Sequence, residues 1–154
     1  MTMNRKHLAL AIRLARENVL ERGGRPFGAV LVRDDEVLAT GVNEILATHD
    51  PSAHAEMQAI RAAATKLKTP RLERCVMYAS GHPCPMCLSA MHMTGIGEVY
   101  YAYSNEDGEK YGLSTARIYA EMAKPASQQS IRIEHVPLRD DGEHPFDCWQ
   151  RTQG

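Results

Sequence analysis

The chain has 154 residues, of which 44% are hydrophobic and 24% charged, enough apolar material for one ordinary domain, spanning 1–154, with a core of its own. Its 18 Lys and Arg against 19 Asp and Glu leave a formal charge of −1, so no overall field gathers polyanions; a small neutral partner is expected and a nucleic acid is not. The run Leu8–Ile12 is broken at once by Arg13, Arg16 and Glu17, and the four cysteines show no disulfide-framework spacing, so the expected location is cytoplasmic, with no membrane partner.

In chain order, Leu8, Ile12, Ala15, Val19 and Leu20 recur at helical spacing and predict a helix over 4–21, stopped by Gly23-Gly24. Two strands follow, 28–33 and 36–42, joined by Asp34-Asp35 as a tight hairpin. Asp50-Pro51-Ser52 signals a helix start for 54–67, then come a strand at 75–79, a helix from Pro85 to about Thr94 and a strand at 98–102. The polar, Gly-punctuated stretch 104–112 reads as a loop, 113–122 as a helix ending near Lys124-Pro125, 130–136 as a further strand and 145–149 as a short terminal helix. Strands alternating with helices imply a sheet covered by helices on both faces, and a helix between the last two strands lets them run parallel. The densest basic cluster, Arg61, Lys66, Lys68, Arg71 and Arg74, reads as a solvated helix end and connector.

The chemistry concentrates in His54-Ala55-Glu56 and Pro83-Cys84-Pro85-Met86-Cys87. Catalytic zinc takes three His or Cys ligands and leaves a fourth position to water, and the three here are His54, Cys84 and Cys87. Glu56 is then spare, free to act as general acid and base, the partnership that hydrolytic removal of an amino group from a base ring requires. Cys84 and Cys87 share a face of an opening turn, with Pro85 in the first helical position, where a missing N–H costs nothing. His54 and Glu56 are two apart, so they share no side of a regular helix and converge only in a first turn, around an ion beyond the helix end; two helix N-termini are expected to face one metal. A Cys-x-x-Cys alone also fits a redox pair or half of a structural site. Cys75 and Cys148 are isolated, however, and His82 lies too near Cys84 to close the shell without straining the loop.

The two motifs together resemble the cytidine-deaminase-like zinc superfamily over nearly the whole chain. Pro26-Phe27-Gly28-Ala29, Asn43, Asp50-Pro51-Ser52-Ala53, Ile118-Tyr119 with Lys124-Pro125, and Phe146 with Trp149 are similar to the small bacterial guanine deaminases. The resemblance implies a three-layer α/β/α sandwich around a mixed five-stranded sheet of order 2-1-3-4-5, its last two strands parallel. It implies one Zn2+ per subunit, a nucleobase substrate, guanine or a guanine-like base, and a homodimer in which the segment 140–154 crosses to the partner. It also implies that Asn43 and the Ala55 N–H bind the base, that Phe27 lines its pocket, and that Phe146 and Trp149 help to close it. As residues alone, the three aromatics fit core packing equally well, and Asn43 fits a turn.

Two departures bear on the substrate. Guanine deaminases carry Cys-Glu where this chain has Gly81-His82, and a second proton-shuttling carboxylate where it has Thr115. Glu106, Asp107 and Glu109 lie nearby in sequence, and His82 offers a titratable donor. A cytosine-like or triazine ring is therefore an alternative to guanine, and an adenosine of transfer RNA is a third.

Overall fold

The computed structural model describes residues 2–153, in two compact units that divide between 120 and 121. In the first, α1 (Arg5–Arg22) precedes β1 (Gly28–Arg33) and β2 (Glu36–Val42), followed by a short α2 (Ile45–Thr48) and by α3 (Ala55–Leu67). Then come β3 (Cys75–Gly81), α4 (Pro85–Thr94), β4 (Glu98–Tyr103), α5 (Asn105–Glu109) and α6 (Ala116–Met122), within which the division between units falls. The second unit continues through a 3-10 turn (Ala126–Gln128) to α7 (Pro145–Gln153). Among the described residues no helix is long and apolar enough to cross a membrane.

The sheet has the order β2-β1-β3-β4, antiparallel except for the parallel β3–β4 pair. The β1–β2 hairpin turns at Asp34 and Asp35, whose φ of 51° and 61° suits the two left-handed positions of a tight connection. Side chains alternate across β1 and β3. Val30, Val32, Val76 and Tyr78 pack with Ala11 of α1 on one face, while Ala29, Leu31, Cys75 and Met77 pack with Ala59, Ala63, Cys87 and Met91 of α3 and α4 on the other. Helices therefore cover both faces, as the alternation of elements implies.

The fifth strand is a correction. The segment 130–136 joins no ladder, leaving four strands, β4 at an edge, and parallel pairing between β3 and β4 rather than in a fourth and fifth strand. Its apolar residues Ile131, Ile133 and Val136 are exposed. Alternation specifies which face of a strand is apolar but not whether an edge is there to receive it, and pairing is a non-local event.

The glycine at position 41 sets how α3 lies on the sheet. A Cβ there would overlap the Ala55 carbonyl oxygen and come within 2.6 Å of the Ala59 nitrogen, so only glycine lets the first turn of α3 rest against β2. Gly41→Ala is expected to lower unfolding free energy by about 1–3 kcal/mol, the usual cost of overpacking, in a urea titration. An unchanged midpoint would contradict this close approach.

Candidate active site

The start of α3 is fixed by its own turn. Ser52 donates to the Asp50 carboxylate from its backbone N–H at 2.8 Å and from its hydroxyl at 2.6 Å, while Ala53 N–H reaches the Asp50 carbonyl at 3.0 Å. His54 follows as N-cap with extended backbone, φ −72° and ψ 155°, and its side chain makes no capping bond. The imidazole is thereby left for other partners. Cys84 occupies the same place on α4, φ −71° and ψ 167°, with Pro85 in the first helical turn, and its sulfur accepts from the Cys87 N–H at 3.4 Å. The two N-terminal ends meet.

His54 Nδ1 lies 3.4 Å from Cys84 Sγ and 3.5 Å from Cys87 Sγ. Metal–sulfur and metal–nitrogen bonds of about 2.3 and 2.0–2.1 Å at a tetrahedral angle place nitrogen and sulfur about 3.5 Å apart, so the spacing fits zinc, as does an N/S donor set. Among the described residues these three form the only group of His, Cys, Asp or Glu whose ligand atoms all lie within 4.8 Å of one another. Neither Glu56 nor His82 joins it. A catalytic site needs that open position.

The three groups perturb one another through these contacts. Donation from Cys87, together with His54 and the Cys87 N–H, holds the Cys84 thiol down to about 4. Cys87, facing that thiolate and buried beside Glu56, is pushed up. The hydrogen bond to Cys84 raises His54. A dication held by the three groups would displace their protons and favour both thiolates. Burial pushes the Glu56 carboxyl up, its own backbone N–H and Cys87 opposing. Glu56, 6% exposed, converges with His54 because the latter stands outside the helix.

These residues open onto a cavity of about 260 Å3, where His54, Glu56 and Cys84 face Phe27 and Asn43, with Arg25 and His82 beside them and Leu113, Thr115 and Ile118 completing the wall. Asn43 is 4% exposed; its Oδ1 accepts from the Ile45 N–H at 3.1 Å, which leaves the Nδ2 hydrogens without an acceptor among the described residues. Ala55, fully buried, is the first residue of α3, so its N–H is one of those a helix leaves unpaired. A larger recess, about 960 Å3, shares Phe27, His82 and Leu113 with this wall but touches none of His54, Glu56, Cys84 or Cys87, which places the chemistry in the smaller space.

The remaining candidates are distributed as follows. Phe146 and Trp149 lie on α7 of the second unit, 77% and 65% exposed, whereas every residue lining the cavity comes from 25–118 of the first. His82 stacks on Tyr101 with ring centroids 4.5 Å apart. The acidic residues Glu106, Asp107 and Glu109 line the larger recess instead, and Asp107 is spent on a capping box with Ser104 at the start of α5. That Ser-x-x-Asp spacing was the signal for a helix in a stretch read as a loop. Thr115 does reach the cavity wall, with its Oγ1 buried and unpartnered. Arg25 carries no sequence signal of its own. The Tyr119 hydroxyl donates a short hydrogen bond to the Pro83 carbonyl and so ties α6 to the cysteine loop.

Residues 1–103 match the family model of the cytidine and deoxycytidylate deaminase zinc-binding region. The chain is 40% identical over 145 residues, 93% of its own length and 91% of the other's, to a guanine deaminase of Bacillus subtilis. A crystal structure of guanine deaminase from that organism superposes with a TM-score of 0.86 at 38% identity, covering 97% of this chain and 95% of that one. A tRNA-specific adenosine deaminase of Aquifex aeolicus is 31% identical over 136 residues, 88% of this chain and 87% of its own. With its His-Cys-Cys cluster, the chain belongs to the cytidine and deoxycytidylate deaminase zinc-binding family.

Proposed function

We propose that the protein is a zinc-dependent deaminase of a free nucleobase, guanine or a close analogue, adding water across the amino-bearing ring carbon and releasing ammonia. The observation that carries this reading is a buried, uncoordinated Glu56 beside a three-ligand zinc site at a cavity of about 260 Å3, in a chain whose similarity to a guanine deaminase runs nearly end to end. His54, Cys84 and Cys87 would hold the zinc, which would serve as a Lewis acid and bring the pKa of a water close to neutrality. Glu56 takes one proton of the attacking water and passes it to the ring nitrogen beside the amino-bearing carbon, then takes the second proton from that oxygen and delivers it to the amine, which departs as ammonia as the new carbonyl forms. Guanine and water are consumed, and xanthine and ammonia formed. A carboxyl raised by burial suits the role, because it is a base strong enough to accept that proton and an acid strong enough to return it.

Substrate recognition is assigned to the chain's other cavity residues. Phe27 stacks on the base, the Asn43 Nδ2 donates to a ring or exocyclic acceptor, and the Ala55 N–H donates at the head of α3. The Asn43 Oδ1 accepts from the Ile45 N–H while its Nδ2 is available to donate, which suits a base that presents acceptors there, as the carbonyl and imidazole edge of guanine does. Thr115, in the place of a second carboxylate, leaves Glu56 as the one acidic proton carrier lining the cavity. The reading includes a homodimer in which Phe146 and Trp149 of each carboxyl-terminal segment cover the other's cavity; their exposure on α7 supports it.

Replacing Glu56 by Ala is expected to lower kcat by about 10²–10⁴-fold in an ammonia-release assay, the usual share of general acid–base catalysis. Near wild-type turnover would remove Glu56 from this role. A panel of guanine, isoguanine, cytosine, adenine, ammeline and their nucleosides, assayed with zinc-loaded protein, is expected to give the highest kcat/KM for guanine. Turnover of none of them, or of an adenosine within transfer RNA alone, would overturn the reading.

A further inference from the structure

The apolar stripe that α1 turns to the sheet includes Ala11 and Ala15, and the next position on it is not apolar but Asn18, 1% exposed. A buried amide in such a place persists only if its hydrogen bonds are made. Asn18 Nδ2 donates to the Arg25 carbonyl at 2.8 Å and to the Asn43 carbonyl at 2.9 Å. Both neighbours are carbonyl oxygens, so the amide has one orientation that satisfies them. The Asn18 carbonyl meanwhile accepts from the Gly24 N–H at 2.9 Å.

These bonds close a ring. Phe27 N–H donates to the Arg25 carbonyl at 2.8 Å, and Asn43 N–H donates to the Phe27 carbonyl at 3.2 Å, so the circuit runs Asn18, Arg25, Phe27, Asn43 and back to Asn18. Its members Arg25, Phe27 and Asn43 line the cavity, while Asn18 itself does not. Gly24 is shaped to the same purpose: a Cβ there would sit 2.5 Å from Asn18 Nδ2 and 2.9 Å from its Cγ. The helix end and the two loops are built around this amide.

We propose that Asn18 is a positioning residue for the base, holding the Phe27 and Asn43 walls of the cavity in register through the two hydrogens of its amide. It acts on substrate binding and leaves the metal cluster alone, since no bond of the ring reaches α3 or α4. The inference rests on the base-deaminase reading given above.

The test compares Asn18→Leu, of similar size without donors, and Asn18→Asp, of the same shape with oxygen facing the two carbonyls, against Leu8→Ala on α1, which packs against the cluster of Val30, Val32, Val76 and Tyr78 and does not line the cavity. Both Asn18 variants are expected to raise KM for guanine at least tenfold, with kcat within threefold and zinc content unchanged. Amide hydrogen exchange over 24–28 and 42–44 should quicken at least tenfold while that of α3 holds. Leu8→Ala should lower the melting temperature and leave KM as it was. If the Asn18 variants fail to fold, Gly24→Ala, which displaces the amide without removing it, should give the same KM and exchange shifts. A folded Asn18 variant, or Gly24→Ala, with wild-type KM or unchanged exchange overturns the proposal, as does an equal KM rise in Leu8→Ala. A wild-type protein that deaminates no base sinks the functional reading alone, and the exchange measurement still decides whether Asn18 holds the two walls.

Discussion

Everything in the site depends on two helices beginning at the same point. α3 and α4 each start on an extended residue, His54 and Cys84, and because an N-cap side chain is not yet committed to a helix face, both can turn toward the space between the ends. Cys87, one turn into α4, completes the trio, and Glu56 in the first turn of α3 is brought alongside. The partial positive charge at both N-termini favours anionic ligands such as thiolates. The sheet's part in this is to hold the two starts together: Gly41 lets α3 settle on β2, and the parallel pairing of β3 with β4 spans α4.

The same arrangement explains why one carboxylate is buried without an ion-pair partner. A buried carboxyl ordinarily costs stability unless something stabilises its charge, and here a backbone N–H, the Cys87 thiol and the nearby His54 oppose the effect of burial. Such an expense is typical of functional sites, where local rules of core composition are broken to hold a titratable group in place. Asn18 is a second case, a polar side chain in the apolar stripe of α1 whose amide hydrogens both end on residues that line the cavity.

Much of this was legible in the chain itself. The helix starts at Asp50-Pro51-Ser52 and Pro83-Cys84-Pro85, the hairpin at Asp34-Asp35 and the stop at Gly23 are local signals, and each is where the structure has it. The convergence of His54 with Glu56 also followed from helix periodicity. What could not be read was non-local. Whether Ile131 and Ile133 find an edge to join, which carbonyls Asn18 meets 7 and 25 residues away, and that Arg25 lines the cavity are settled by packing, for which no sequence spacing is diagnostic. The helices α2 and α5 are intermediate cases. The capping box of α5 was present in Ser104 and Asp107, but a Gly within it argued for a loop, while α2 is a single turn nucleated by the Asn43 side chain.

The central claim is a zinc site of three protein ligands with a glutamate beside it that is not one of them. Zinc-edge X-ray absorption of the loaded wild-type protein and of Glu56→Ala tests it most directly. The account predicts two sulfur neighbours at about 2.3 Å and one imidazole nitrogen at about 2.0–2.1 Å in both proteins, with the same first shell. A third sulfur, a second imidazole, or a first shell that changes when Glu56 is removed would contradict it.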